Sequence, residues 1–228
     1  MPPEDVLPAD TAQFVRALGP EPDDVIAEMA AYADERDFPT VGPTVGGWLA
    51  LLVRLTDARR VFEFGSGFGY SAYWIARSLP SDGEVVLTEV DADELDRARE
   101  YMAAGGYDDR ASYELGDAIE TIDSYDGSFD LVLIDNEKDR YREAFETVRE
   151  KVEPGGVVVA DNVMTAGIVE FDALVALAEG NDPDTTEATR GVWEYLQHVR
   201  SASDFETGLL PIGEGLAVSV RVGKVPSR

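Results

Sequence analysis

The chain predicts a doubly wound α/β fold, in which a mostly parallel sheet carries helices on both faces. N-terminal helices precede the sheet and an antiparallel hairpin closes it. Three observations predict this. From Val61 onward, short apolar runs alternate with helical stretches, as in successive βαβ units. Two of those runs, Leu131 to Ile134 and Val157 to Ala160, are apolar without interruption, the pattern of strands buried on both faces. Near the end, the apolar runs Thr207 to Pro211 and Leu216 to Val222 are joined through Gly213-Glu214-Gly215, so they pair antiparallel at a sheet edge.

Residues 1–58 read as helices only, at Thr11 to Leu18, Asp23 to Arg36 with acids in its first turn, and Thr44 to Leu55. Pro20, Pro22, Pro39 and Pro43 punctuate them. Strands follow at Val61 to Phe64, Glu84 to Thr88, Ala111 to Leu115, Phe129 to Ile134 and Gly156 to Ala160. Helices at Tyr70 to Leu79, Ala92 to Ala104 and Tyr141 to Val152 separate them. After Asn162 a Met-Thr-Ala-Gly segment reads as loop, and a helix runs from Thr186 to Arg200. The pattern divides the chain into an N-terminal helical extension, residues 1–38, and one domain, residues 39–228.

With 228 residues the chain can bury one sizeable core. A formal charge of -27, from 46 acidic and 19 basic residues, repels phosphate backbones and anionic lipid and disfavours nucleic acid and membranes as partners. The acids are dispersed, as in Asp91-Ala92-Asp93-Glu94 and Asp182 to Glu187, and only Lys138, Lys151 and Lys224 are lysines. This composition fits a heavily hydrated surface suited to high salt. The absence of cysteine excludes disulfides, thiol nucleophiles and thiolate metal sites. Met1-Pro2-Pro3-Glu4-Asp5 has no signal-peptide character, and the apolar stretch Val45 to Leu55, broken by Arg54, is shorter than the roughly 20 residues that span a bilayer. A soluble, cytoplasmic protein is the expectation.

The first strand runs into Gly65-Ser66-Gly67-Phe68-Gly69 and then a helix. Glycines let backbone approach a ligand at a helix N-terminus, where free amides and the helix dipole favour negative charge. The G-x-G-x-G spacing departs from the dinucleotide pattern G-x-G-x-x-G, and an ordinary βα turn reads the same way. Two acids add to it. Glu63 sits in an otherwise apolar strand end, where an unpaired carboxylate is costly and an amine-bearing ligand would partner it. Glu89 ends the second strand, where carboxylates hold ribose hydroxyls in nucleoside-binding sheets. Together they favour an adenosyl cofactor with an amino group over NAD.

The two uninterrupted runs stop on oxygen ligands, Asp135 and Asp161-Asn162. Hard divalent cations prefer such carboxylate and amide oxygens, although Asp-Asn also suits a plain turn. Lys138 follows Asp135 by three residues in a chain that has nearly abandoned lysine. Arginine cannot act as a base, whereas a desolvated lysine near a cation can.

These segments resemble the cation-dependent, S-adenosylmethionine-using O-methyltransferases of the catechol and caffeoyl-CoA type. The likeness runs from Pro39 to the end through Val41-Gly42-Pro43 to Gly46, Glu63 to Ser71, Thr88-Glu89-Val90-Asp91, Gly116-Asp117-Ala118, Leu133 to Tyr141, Pro154-Gly155-Gly156, Asp161-Asn162-Val163 and Leu210-Pro211-Ile212-Gly213. The resemblance implies a class I, Rossmann-like methyltransferase domain over residues 39–228. It implies that Glu63, Gly65, Ser66, Gly67 and Gly69, with Val41 and Ser71 beside them, hold the methionine part of S-adenosylmethionine. It places Glu89 on the ribose, Asp117 and Ala118 at the adenine, and Asp135, Asp161 and Asn162 on a divalent cation, Mg²⁺ first, with Mn²⁺ or Ca²⁺ as alternatives. Asp135 also counts with the cofactor residues, and Lys138 becomes the base. Relatives are commonly homodimers. Many bacterial members carry Asp-Ala-Asp-Lys where this chain has Asp135-Asn136-Glu137-Lys138, and the acceptor-orienting glutamate of the animal catechol enzymes finds no convincing match.

The acceptor is therefore expected to be a small molecule with catechol-like or vicinal oxygens. The alternatives are methylation of a modified tRNA base, nicotinamide-dependent oxidoreduction and cofactor binding without turnover. His198 reads as a surface or packing residue and Trp48, Trp74 and Trp193 as core or interface aromatics, with Trp48 an alternative acceptor-pocket residue.

Overall fold

The computed structural model describes residues 6–223; residues 1–5 and 224–228, Lys224 among them, lie outside them. Three helices come first, α1 (Ala9–Leu18), α2 (Asp24–Arg36) and α3 (Gly42–Leu55). The alternating region then runs β1 (Arg60–Phe64), α4 (Tyr70–Ala76), β2 (Glu84–Glu89), α5 (Ala92–Gly105), β3 (Ala111–Leu115), α6 (Ala118–Thr121), β4 (Phe129–Ile134), α7 (Tyr141–Val148) and β5 (Val152–Ala160). α8 (Phe171–Ala178), α9 (Glu187–Ser201), β6 (Phe205–Leu210) and β7 (Leu216–Arg221) follow.

The seven strands lie in the order β3-β2-β1-β4-β5-β7-β6. The first five are parallel, β7 lies antiparallel to β5, and β6 hangs on β7 at the edge. The doubly wound sheet with its C-terminal hairpin is thus the one expected from sequence. Successive strand residues face opposite sides and both sides are apolar, which explains the uninterrupted runs. Val61, Leu131, Leu133, Val157 and Val159 pack with α2 to α5, while Phe62, Phe64, Val132, Ile134 and Val158 pack with α7 and α9. Burying each such side chain contributes about 1.5–3 kcal/mol. Ile26 and Met29 of α2 are fully buried against the first of these layers.

Several details depart from the sequence reading. Tyr70 to Leu79 is helical only to Ala76 and ends in turns before Pro80. Tyr141 to Val152 divides into α7, a 3-10 turn at Arg149–Lys151 and the start of β5. β5 begins at Val152 because Val152 pairs with Phe129, and the register shifts before Leu131 meets Val157. The helices α6 and α8 were not expected. Among the described residues no helix is long and apolar enough to cross a membrane.

Candidate active site

The strand order reverses between β1 and β4, and open sheets bind ligands beyond the carboxyl ends of strands at such a switch point. Every acid singled out from sequence lies at that end. Glu63 is near the end of β1, Glu89 ends β2, Asp135 follows β4 and Asp161 follows β5. Backbone bonds fix these loops as continuations of the ladder. Asp135 N donates to Phe64 O at 3.0 Å, Asp161 N to Ile134 O at 3.1 Å, and Ser66 N to Thr88 O at 2.9 Å.

The glycine turn is built for close approach. Gly65, Gly67 and Gly69 all have positive φ, at 78°, 49° and 85°. A Cβ on Gly65 would lie 2.7 Å from the Asp135 carbonyl oxygen, so glycine alone lets the two loops touch. Beneath the turn, Glu63 is fully buried. Ser71 donates its hydroxyl to Glu63 Oε1, while Oε2 has no hydrogen-bond partner. Burial raises this carboxyl to about 7 despite the Ser71 bond. Asn136 Oδ1, beyond Gly65, is likewise buried without a partner. Buried polar atoms are ordinarily satisfied, so two orphans beside one glycine turn mark a place built for a polar ligand.

The other cofactor-side residues are tied into the loops. Ser66 Oγ accepts from Thr88 N at 3.1 Å. Glu89 accepts from Gly67 N at 2.8 Å through Oε2, and from Val90 N and Asp91 N through Oε1. A carboxylate has about four acceptor sites, so Glu89 keeps capacity for a hydroxyl. Asp117 caps α6 through Ile119 N at 2.8 Å and binds Arg140 at 2.7 Å, and the Arg140 bond holds its pKa down. Ala118 is buried beside it, and Val41 precedes α3 and packs partly buried against the layer formed with α2 to α5.

Asp135 and Asp161 form the second half. Lys138 Nζ donates to Asp135 Oδ1 at 2.9 Å and to Asn136 O at 3.3 Å, and lies 5.0 Å above the Tyr141 ring. The Lys138 side chain is only 11% exposed. Asp161 is buried, and its Oδ1 accepts from Asn162 N at 2.7 Å. Burial and the neighbouring Asp135 carboxylate push the Asp161 carboxyl well above its ordinary range. Burial raises Asp135 too, against the pull of Lys138. Asn162 sits in the left-handed region at φ 55°, which asparagine tolerates better than most residues. Two crowded carboxylates, the buried Asp161 and the partly exposed Asp135, together with an amide suit a hard divalent cation, which would neutralise them. Among the described residues no group of three or more His, Cys, Asp or Glu side chains is placed to hold a metal, so a cation here relies on the Asn162 oxygen.

Three residues of this cluster had no role in the sequence reading. Glu214, between Gly213 and Gly215 of the hairpin turn, accepts from Asn162 Nδ2. Tyr141 donates its hydroxyl to Asp161 O at 3.0 Å from beneath Lys138. Arg140 ties Asp117 and Glu143 to the Lys138 turn. That turn is seated on α9, where a Cβ on Gly191 would lie 2.6 Å from Lys138 O. Tyr141 and Arg140 stood inside the quoted motif; nothing in the sequence pointed from Glu214 to Asn162. His198 pairs with Glu146 at the surface, Lys151 donates to the Ile122 and Tyr125 carbonyls, and Trp48 packs partly buried against the core.

The model of a family described as O-methyltransferase matches residues 25–222. The chain belongs to the O-methyltransferase family. The matched span includes every residue of the site. Among relatives of this O-methyltransferase, a catechol O-methyltransferase of Mycobacterium tuberculosis is 31% identical over 194 residues, covering 84% of this chain and 85% of the relative. A catechol O-methyltransferase of Niastella koreensis is 33% identical over 158 residues, 67% of this chain and 71% of the relative. The solved structure of the O-methyltransferase TomG from Streptomyces achromogenes, in complex with SAM, superposes with a TM-score of 0.79 at 27% identity, covering 94% of this chain and 96% of that one.

Proposed function

We propose that this O-methyltransferase moves the methyl group of S-adenosylmethionine to a hydroxyl of a small catechol-like or vicinal-oxygen acceptor, with a divalent cation and with Lys138 as base. The observation that carries this reading is the meeting of two half-sites across Gly65. On one side a buried carboxylate waits for an amine; on the other Asp135 pairs with a largely buried lysine, and the buried Asp161, bonded to Asn162 N, lies near Asp135.

On this reading Glu63 and Ser71 hold the amino acid end of the methyl donor and the amides of the glycine turn its carboxylate. Glu89 takes the ribose, and Asp117 and Ala118 border the adenine. Asp135, Asp161 and Asn162 hold Mg²⁺, with Mn²⁺ or Ca²⁺ as alternatives. Bound there, the cation supplies Lewis acidity and a template for adjacent acceptor oxygens. Lys138 Nζ takes the proton of the reacting hydroxyl. Asp135 steadies the ammonium that results, and the Tyr141 ring shields it from water. The protein's main contribution is to hold hydroxyl and methyl in line, since orientation can supply much of the rate.

Phe38 flanks the glycine turn, edge-on to Phe68 at 5.1 Å, which supports a role for the extension 1–38 in covering the cofactor. Exposed Phe14 and Leu18 on α1 and Leu51 and Leu55 on α3 support a homodimer formed through the N-terminal helices. A cytoplasmic location and a surface adapted to high salt fit the charge of -27.

Calorimetric titration with S-adenosylhomocysteine and with NADH tests the cofactor assignment. Saturable binding of the first and none of the second is expected. Binding of NADH in preference would replace the reading with oxidoreduction. Methyl transfer to a panel of catechols, hydroxycinnamoyl thioesters, flavonoids and total tRNA then identifies the acceptor.

A further inference from the structure

We infer that Glu214 is a positioning residue of the cation site: its carboxylate fixes the Asn162 amide so that the amide oxygen is the atom presented to the cation. The inference rests on the cation reading above. An asparagine amide can rotate to exchange its oxygen and nitrogen, and only the oxygen can ligate a cation. A carboxylate only accepts, so the bond from Nδ2 to Glu214 Oε2 commits the nitrogen to Glu214 and leaves the oxygen available.

Glu214 is held rigidly enough to do this. Its backbone carbonyl accepts from Met164 N at 3.1 Å and Thr165 N at 3.0 Å, and Gly215 O accepts from Val163 N at 3.0 Å. The hairpin turn is thereby bonded to the segment that follows Asn162. Gly213 and Gly215 flank it at φ 55° and 92°. A Cβ on Gly213 would meet Val45 Cγ2 at 2.6 Å, and one on Gly215 would meet Met164 Cγ at 2.5 Å. The turn is wedged between α3 and the site loop, and the Glu214 side chain reaches Asn162. Hydrogen-bond partners of metal ligands orient them in this manner, and losing one costs about 10- to 100-fold in metal affinity.

The test is calorimetric titration of Mn²⁺ into the full chain, without methyl donor or acceptor. Glu214→Ala should weaken Mn²⁺ by about 10- to 100-fold and leave the dissociation constant for S-adenosylhomocysteine unchanged. Glu214→Gln, whose amide can accept the same bond from Nδ2 but can also donate to the Asn162 oxygen, should weaken Mn²⁺ less than Glu214→Ala. Two results would overturn the inference alone: Mn²⁺ affinity lost in Asn162→Ala but untouched in Glu214→Ala, or Glu214→Gln as weak as Glu214→Ala, which would make Glu214 a charge or a direct ligand. A wild-type protein that binds no Mn²⁺ would overturn the cation reading and this inference with it.

Discussion

Lys138→Ala is expected to lower kcat for methyl transfer by about 100- to 10,000-fold, the usual contribution of a positioned base. Lys138→Arg is the sharper variant. Arginine can keep the ion pair with Asp135, now 2.9 Å long, yet it has no accessible neutral form. Both variants should therefore fail in turnover, while Lys138→Arg keeps the melting temperature and cofactor affinity of wild type. A steady-state assay beside calorimetry separates these effects. Lys138→Arg with undiminished kcat would mean that the lysine only balances charge.

Binding of S-adenosylhomocysteine is expected to strengthen as pH rises through about 7. In the free protein burial raises the Glu63 carboxyl to about 7, so below that pH it is mostly protonated and cannot pair with an ammonium. A bound amine restores a lower pKa, and linkage then makes affinity fall with acidification. Between pH 7.5 and 5.5 the loss is roughly 25-fold if the bound-state pKa lies below that window. The sign for ligand-free stability is opposite. A carboxyl whose pKa rises on folding binds its proton more tightly when folded, so its contribution is fully present below about 4.5 and is lost as pH climbs to about 7. Titrations with EDTA present isolate Glu63 from cation effects. A pH-independent dissociation constant in wild type, or the same slope in Glu63→Gln, would contradict the assignment.

The sheet was legible because its strands are buried on both faces. Runs such as Leu131 to Ile134 leave no polar position to confuse the period, and the strand they predict is the one found. The opposite condition hid α8. Its N-cap Glu170 makes no side-chain capping bond, and Phe171 and Val175 are exposed, so neither a start signal nor an amphipathic stripe marks it. The early start of β5 was hidden by Pro154-Gly155-Gly156, residue types that are rare inside strands, while Val152 pairs across a shifted register. In the site, Glu63, Asp135, Lys138 and Asp161 were visible because each breaks an apolar run or a compositional habit. Glu214 breaks nothing. It lies between two glycines of a hairpin turn, and only β7 lying beside β5 carries it to Asn162.

The central claim, transfer of a methyl group across a cation-dependent site, is tested most directly by following methyl transfer from S-adenosylmethionine to a catechol acceptor before and after EDTA, then with Mg²⁺ restored. The expected result is transfer abolished by the chelator and recovered with Mg²⁺, while S-adenosylhomocysteine still binds the stripped protein. Transfer undiminished by complete removal of divalent cations would contradict the assignment of Asp135, Asp161 and Asn162.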